Sequence, residues 1–231
     1  MIVATTFSAD DRARVAAAVT AAEATTDGEI VPIVAAQSDA YHDVALHWSL
    51  LAMLFVVALL AALPRHGETL LEPLVGLLGK EWNEGWTGGE LLTALLVLLA
   101  LVFLLAVYAT RPLAVRMVLT PGATKARRVR RRAVLLFRTA IEARTATRTG
   151  VLLYLSLAER RAEIVADRAI AARVAPAAWG EAMALLVDAL RDGRPGDALV
   201  AAIGRVGVIL SEHFPHTGTD PNELADGLIE L

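Results

Sequence analysis

The amino-terminal pattern of apolar and polar positions predicts a helix followed by a strand. Ser8 precedes Asp10 and Asp11, an order typical of a helix start, because serine caps free N–H groups and carboxylates suit the positive helix end. Apolar residues then recur at helical spacing until a turn near residues 25–28. Residues 29–36 predict a strand. Pro32 places this strand at a sheet edge or makes it irregular, because proline cannot donate to a ladder.

The carboxyl-terminal half shows a second set of elements. Residues 126–144 carry an apolar stripe at helical spacing, with arginines on the other faces. Residues 150–157 form a nearly continuous apolar run, which indicates a central strand, and residues 162–166 complete a hairpin with it. Helices are predicted over 176–191 and 195–213, each with a proline near its start. This alternation of helices and strands is typical of an α/β domain.

Two long apolar runs separate these two sets of elements. Residues 91–110 are 20 positions without a charged side chain, and residues 48–64 are 17 such positions. A helix rises about 1.5 Å per residue, so about 20 residues cover the ~30 Å hydrocarbon core of a bilayer. A buried core helix is the alternative, but neither run has the polar face of a globular helix. The runs therefore predict a transmembrane hairpin with spans at 45–64 and 91–110 and an outer loop at 65–90.

The predicted hairpin divides the rest of the chain into residues 1–44 and residues 111–231. The first part holds too little apolar material for a stable core of its own. We therefore expect the two parts to fold together as one α/β domain that the hairpin interrupts.

The composition excludes several classes of protein. The chain is 56% hydrophobic, above the roughly 45–50% of an ordinary soluble domain. Intrinsic disorder is excluded, because a disordered chain has too little apolar material to bury. The chain has no cysteine, which excludes thiol catalysis, cysteine-ligated zinc and a disulfide scaffold.

The net charge of −3 conceals a strong segregation of charge. Residues 111–148 contain eleven basic residues and one acidic residue, whereas residues 64–90 contain two basic and five acidic residues. Basic residues close to a span favour the inner side of a membrane. We therefore expect both termini to be cytoplasmic and the 65–90 loop to face outward.

A cluster of five arginines, Arg127, Arg128, Arg130, Arg131 and Arg132, follows the second predicted span. Such a cluster binds either nucleic acid or anionic lipid. Nucleic-acid binding would require aromatic residues or a reading element, and neither is present. We expect the cluster to determine topology and to contact anionic headgroups at the bilayer surface. We also expect a protein partner, which the sequence does not identify.

Two aspartates are the candidate metal ligands. Asp39 and Asp167 each follow a predicted strand, and sites in α/β folds form at the carboxyl ends of strands. Their carboxylates are ligands that Ca²⁺ or Mg²⁺ prefers, provided that they converge on one ion. The alternative is that both are turn and cap residues, which is the commoner role of aspartate at a strand end. The five histidines lack metal-ligand spacing, and the sequence contains no catalytic triad, P-loop or GxGxxG motif.

Several segments, in this order, resemble the TPM domain family. The resemblance is closest to a bacterial membrane-protein branch in which a transmembrane hairpin splits the domain, and it covers residues 7–44 and 126–231. The matching segments are Glu29–Val31, Ser38–Tyr41, Thr147–Leu152, Glu163–Ile170, Trp179, His213–Pro215 and Asn222–Leu224.

The resemblance implies a three-layer α/β/α sandwich around a small mixed sheet, in a protein of the bacterial inner membrane. Some TPM domains are described as acid phosphatases or as binders of divalent metal. This chain departs from the family where the usual Asp-x-Gly is Asp167-Arg168-Ala169, so a loop that needs the positive φ of glycine is in doubt. Since no catalytic arrangement is legible, we expect a non-enzymatic binding or scaffolding module. The alternative is a phosphatase-like enzyme that depends on a divalent metal.

Overall fold

The computed structural model describes residues 7–63, 72–73, 76, 87–140, 149–191, 193–217 and 227–231. The chain divides into two compact units. The α/β unit contains Met1–Ala40 and Pro121–Leu231, and the hairpin unit contains Tyr41–Thr120. The predicted outer loop at 65–90 lies largely outside the described residues.

The elements alternate between helices and strands in the α/β unit and are all helical in the described part of the hairpin unit. In chain order they are α1 (Ala9–Glu23), β1 (Glu29–Ala35), α2 (His42–Ala62), α3 (Gly88–Ala109), α4 (Leu113–Leu119), α5 (Gly122–Ala140), β2 (Gly150–Ser156), β3 (Arg161–Ala166), α6 (Arg168–Arg173), a 3₁₀ turn (Pro176–Trp179), α7 (Gly180–Arg191), α8 (Pro195–His213) and β4 (Ile229–Glu230).

Helix α1 begins at the predicted serine cap. The Asp11 N–H donates to Ser8 Oγ over 3.0 Å, and the Ser8 N–H donates back to Asp11 Oδ2 over 3.2 Å. This reciprocal capping box satisfies two N–H groups that the first turn would otherwise leave free. The hydrogen bonds from Ser8 hold the pKa of the Asp11 carboxyl below its usual range.

Four strands form one mixed sheet in the order β3-β2-β1-β4. β1 and β2 are parallel over their whole length, from Glu29 opposite Gly150 to Ala35 opposite Ser156. β3 returns antiparallel to β2, and β4 is parallel to β1 on its other side. The predicted mixed α/β domain is confirmed, with β1 and β2 as its central strands.

Pro32 lies in β1, which is a central strand of the sheet. Its nitrogen faces the neighbouring strand that forms the shorter pairing with β1. The Glu29 N–H donates towards β2 and the Ala36 N–H towards β4, so alternate residues face opposite neighbours. The nitrogen of Pro32 therefore faces the side of β4, whose described pairs with β1 are at Ile33 and Val34. On the same side the Ile30 N–H donates to Glu23 Oε1 over 2.7 Å. The prediction that Pro32 places this strand at a sheet edge or makes it irregular is therefore wrong, because β1 is central and its pairing with β2 is regular.

Helices cover both faces of this sheet. Val129, Ala133 and Phe137 of α5 are buried in one cluster with alternate residues of β1 and β2, including Val31 and Leu152. The opposite face packs against a larger cluster that contains apolar side chains of α1, α7 and α8. The predicted apolar stripe of the 126–144 helix is confirmed up to Ala140, and residues 141–144 lie outside the described residues.

Among the described residues, two helices are long and apolar enough to cross a membrane, and both belong to the hairpin unit. α2 has 21 residues and a mean hydropathy of 2.4, and α3 has 22 residues and a mean hydropathy of 2.9. The two helices pack against each other, yet only 11% and 6% of their most apolar stretches are buried. They begin three residues earlier than the predicted spans at 45–64 and 91–110.

Three short elements were not predicted. α4 and α6 are too short to show helical periodicity, and β4 has two residues. The predicted 176–191 helix begins with the 3₁₀ turn and becomes α-helical at Gly180.

Two glycines in α8 offer a test of the contact between α1 and α8. A Cβ on Gly207 would lie 2.7 Å from the Ala22 Cβ, whereas a Cβ on Gly204 would meet nothing within 4 Å. We expect Gly204→Ala to stabilise the domain by up to about 1 kcal/mol through helix propensity. We expect Gly207→Ala to destabilise it by about 1–3 kcal/mol, because Ala22 cannot move aside.

The measurement is denaturant unfolding of the full chain in detergent, followed by far-ultraviolet circular dichroism. Gly204→Ala is the matched control, since both substitutions add one methyl group to the same helix. Equal stabilisation by the two variants would contradict the close packing of α8 against α1.

Candidate functional site

The carboxyl ends of β1 and β2 lie at the same end of the sheet, because the two strands are parallel. Ser38 lies just beyond the end of β1. At the end of β2, Ser156 is followed by a tight turn in which Arg160 has a φ of 50°. Polar side chains from two loops that are far apart in the sequence therefore lie together at this end of the sheet.

Four of these side chains form a hydrogen-bonded group that we call the Ser38 cluster: Ser38, Tyr154, Ser156 and Glu159. Ser38 Oγ donates to Ser156 Oγ over 2.8 Å, and Ser156 Oγ donates to Glu159 Oε2. Because the one proton of Ser38 is used, the Tyr154 hydroxyl, 3.0 Å away, donates to Ser38 Oγ. The Ser38 N–H also donates to Glu159 Oε1 over 2.9 Å. The protons thus run in one direction, from the tyrosine to the carboxylate.

Burial governs the electrostatics of the Ser38 cluster. Tyr154 and Ser156 are fully buried, and Glu159 is only 7% exposed. Burial raises the pKa of the Tyr154 phenol, and the negative charge of Glu159 raises this pKa further. The positive charge of Arg132 opposes that rise.

The Ser38 cluster does not present an accessible nucleophile. A catalytic serine needs a neighbouring base that can accept its proton. Ser38 donates to another hydroxyl, and Ser156, which donates to the Glu159 carboxylate, is fully buried. Each described hydroxyl in the cluster is a donor to a partner within the cluster. The group therefore fixes the exit of β1 and the turn after β2, which is a structural role.

The predicted arginine cluster lies on α5. Arg128 contacts Asp39 with 3.2 Å between Nη1 and Oδ2, and Arg130 contacts Glu163 of β3 over 3.0 Å. Arg127 and Arg131 are exposed, and Arg132 is half-buried near Tyr154. We call the side of α5 that carries these five residues the arginine face. Both flanks of this face are thus held by ion pairs, through Arg128 and Arg130, while its middle, with Arg127 and Arg131, is exposed.

The structure does not bring Asp39 and Asp167 together. Asp39 follows the end of β1, whereas Asp167 follows β3, which runs in the opposite direction. The Asp167 N–H donates to the Gly150 carbonyl, at the start of β2. The two aspartates therefore lie at opposite ends of strands about 20 Å long, and one ion cannot contact both.

Each aspartate has a local partner of its own. Asp39 is paired with Arg128. Asp167 is 3% exposed and caps α6, since its Oδ1 accepts from the Arg168 N–H over 2.9 Å. Its Oδ2 is buried and accepts no hydrogen bond from the described residues.

A buried carboxylate that the sequence pattern did not single out, that of Glu29, lies at the end of the sheet where Asp167 lies. Glu29 is 6% exposed and pairs in register with Gly150, the residue whose carbonyl Asp167 contacts. The sign of this buried carboxylate in the sequence was a glutamate at the first position of an apolar strand. Two carboxylates fall short of the six to eight oxygens that Ca²⁺ binds, and the described residues contain no group of three or more potential metal-ligating side chains.

Comparisons with known proteins give a fold and no family. No family model matches the chain, and no curated protein matches it. Among solved structures, the chain is similar to the NMR structure of the BA42 protein from the psychrophilic bacterium Bizionia argentinensis, with 14% identity and a TM-score of 0.56. The match covers 99% of this chain and 98% of BA42. At this identity the similarity shows a shared fold and nothing about activity.

The raised pKa of Tyr154 predicts that the domain loses stability in alkali. The unfolded phenol ionises near pH 10.0, whereas the folded phenol keeps its proton to higher pH. The stability linked to Tyr154 is therefore fully present below pH 10.0 and declines as the pH rises from there through the folded pKa. We expect Tyr154→Phe to flatten this decline.

The measurement is the free energy of unfolding of wild type and Tyr154→Phe at several values of pH, in detergent. At pH 8 the difference in the free energy of unfolding between the two proteins gives the loss of the hydrogen bond to Ser38 alone. This difference is subtracted from the differences at higher pH. Parallel curves for the two proteins above pH 10 would contradict the assignment.

Proposed function

We propose that this protein is a multi-pass protein of the bacterial plasma membrane with both termini in the cytoplasm. A two-helix transmembrane hairpin anchors it, and its α/β unit is a TPM-like α/β/α domain that acts as a non-enzymatic binding or scaffolding module at the membrane surface. The observation that carries this proposal is the exposed apolar surface of α2 and α3.

That surface is of the kind that lipid covers. Phe55 and Leu54 of α2 are 67% and 58% exposed, and Leu96 and Leu105 of α3 are 69% and 70% exposed. Soluble monomers rarely expose contiguous apolar patches larger than a few hundred Å². A helix with only 6% of its most apolar stretch buried is also unlike a core helix of a soluble protein. Insertion into a bilayer removes this surface from water.

The charge distribution supports the proposed orientation. Residues 111–148 carry eleven basic and one acidic residue, and the segment 64–90 is acidic, so the positive-inside bias favours a cytoplasmic α/β unit. On α5, Arg127 and Arg131 are exposed. Near an anionic surface each such arginine contributes about 1 kcal/mol of attraction, which favours contact of the arginine face with the inner leaflet.

Two observations support the TPM-like assignment. Of the segments that resemble the family, Glu29–Val31, Ser38–Tyr41 and Glu163–Ile170 lie on β1 and β3 or directly after them, whereas residues 147–148 and 222–224 lie outside the described residues. The sheet is mixed, and helices cover both of its faces. These features support the three-layer sandwich that the resemblance implies.

The geometry favours a binding module over a phosphatase. The phosphatase alternative requires Asp39 and Asp167 to act on one metal ion, but these residues lie at opposite ends of the sheet. The Ser38 cluster uses its hydroxyl groups within itself. Neither arrangement supplies an accessible nucleophile or a pair of carboxylates that could hold a metal-bound water, because Ser156 is fully buried and the two aspartates are far apart.

The proposed topology predicts the labelling pattern of single-cysteine variants. The chain has no cysteine, so each variant carries one thiol. We expect His66→Cys in the predicted outer loop to react with a membrane-impermeant maleimide in intact bacterial spheroplasts. Ala172→Cys, at an exposed position of α6, should react only after the membrane is permeabilised. The reverse pattern would place the α/β unit outside the cell.

The proposed lack of phosphatase activity predicts no turnover of p-nitrophenyl phosphate by the purified full chain, with Mg²⁺ or with Ca²⁺. Asp167→Asn tests the carboxylate directly, and Asp10→Asn is the matched control at an exposed position of α1. Turnover by wild type and Asp10→Asn that disappears in Asp167→Asn would show an enzyme and overturn the binding-module proposal.

A further inference from the structure

The hairpin unit contains a groove of about 380 Å³ where α2 begins and α3 ends. This volume lies within the range of sites for small ligands. One side of the groove is apolar, and the other side carries cationic or imidazole groups. The apolar residues are Ala45, Leu46 and Val107, and the polar residues are His42, Thr110, Arg111 and Arg116.

The Arg116 guanidinium is fixed at one wall of the groove. Its Nη1 lies 3.2 Å from His42 Nδ1, and its Nη2 donates to the Arg111 carbonyl over 3.0 Å. Since arginine can only donate, Nδ1 of His42 is the acceptor in the first contact. These bonds hold the planar group in one orientation, and an oriented guanidinium is well suited to phosphate oxygens.

Arg111 supplies a second positive charge to the same groove. Its side chain is exposed, and its guanidinium carbon lies 5.9 Å from the centre of the Tyr108 ring. The acidic residue of the first turn of α2 is Asp43, so the two arginines leave the charge of this end of the hairpin unit positive. The groove thus complements an anion.

The apolar side of the groove continues into the surface that the proposed bilayer covers. Leu46 is 56% exposed, and Leu105 and Tyr108 of α3 are 70% and 69% exposed. A ligand in this groove therefore meets cations at one end and a lipid-facing surface at the other. A phospholipid has this division between an anionic headgroup and apolar chains.

We infer that this groove binds the phosphate of one anionic phospholipid of the inner leaflet, between Arg111 and Arg116, with the glycerol and upper acyl chains along Ala45, Leu46 and Val107. This inference rests on the proposed insertion of the hairpin into the membrane. It identifies a single headgroup site that is separate from the arginine face of α5.

The test uses the full chain in mixed detergent micelles with equal amounts of phosphatidylglycerol and phosphatidylcholine. Native mass spectrometry counts the lipids that stay bound. We expect wild type to retain one phosphatidylglycerol in preference to phosphatidylcholine. We expect Arg111→Gln to weaken this retention roughly fivefold, as expected for one arginine near a phosphate. The backbone carbonyl that holds Arg116 remains in this variant.

Arg168→Gln, at an exposed position of α6 in the other unit, removes the same charge and should retain the lipid as wild type does. Equal losses in Arg111→Gln and Arg168→Gln would reduce the effect to net charge and overturn the site. Equal retention of both lipids by wild type would also overturn it. So would displacement of phosphatidylglycerol by millimolar inorganic phosphate, which would indicate an anion site without lipid specificity.

Flotation with phosphatidylcholine vesicles separates this inference from the proposed function. Wild type and both variants should float with the vesicles, because insertion of α2 and α3 does not depend on the groove. A wild-type chain that does not float would contradict membrane insertion itself, whereas flotation without selective lipid retention would contradict only the groove.

Discussion

The parallel pairing of β1 with β2 is the constraint on which the α/β unit depends. The two strands match over seven positions, from Glu29 opposite Gly150 to Ala35 opposite Ser156. Parallel strands cannot be joined by a tight turn and need a crossover, usually a helix. α5 is that helix, and its apolar stripe must cover the sheet, which leaves its arginines at the surface. The hairpin unit lies within the same connection, so it can be inserted without interrupting a strand.

Strand direction also explains why the candidate site differs from its prediction. The rule that functional loops gather at the carboxyl ends of strands holds where the strands are parallel. It brings Ser38 to the turn after β2, but β3 is antiparallel and carries Asp167 to the other end. Asp39 therefore meets Arg128 instead of Asp167. The antiparallel direction of β3 follows from the predicted hairpin. The parallel pairing of β1 with β2 is not a local property of either strand, and so the sequence pattern did not contain it.

Features that depend on local pattern were predictable, and features that depend on register were not. The Ser8 cap, the apolar run of β2 and the bounds of α8 follow from neighbouring residues, and the structure confirms them. The donor chain from Tyr154 to Glu159 joins loops whose proximity arises only when β1 and β2 pair. Pro32 is intermediate, because its missing donor was evident while the short partner strand β4 on that side was not.

The arginines of this chain differ in the contacts that orient their guanidinium groups, and we expect their roles to differ accordingly. On α5, Arg130 is 66% exposed at its side chain even while it contacts Glu163, so the arginine face is a broad positive surface without one fixed geometry. Such a surface attracts anionic lipid in general. Arg116 is instead oriented by an imidazole and a carbonyl beside an apolar wall. Donors that are already oriented lose less entropy when they bind a ligand. A general attraction and a specific headgroup site are therefore expected from different parts of the same basic segment.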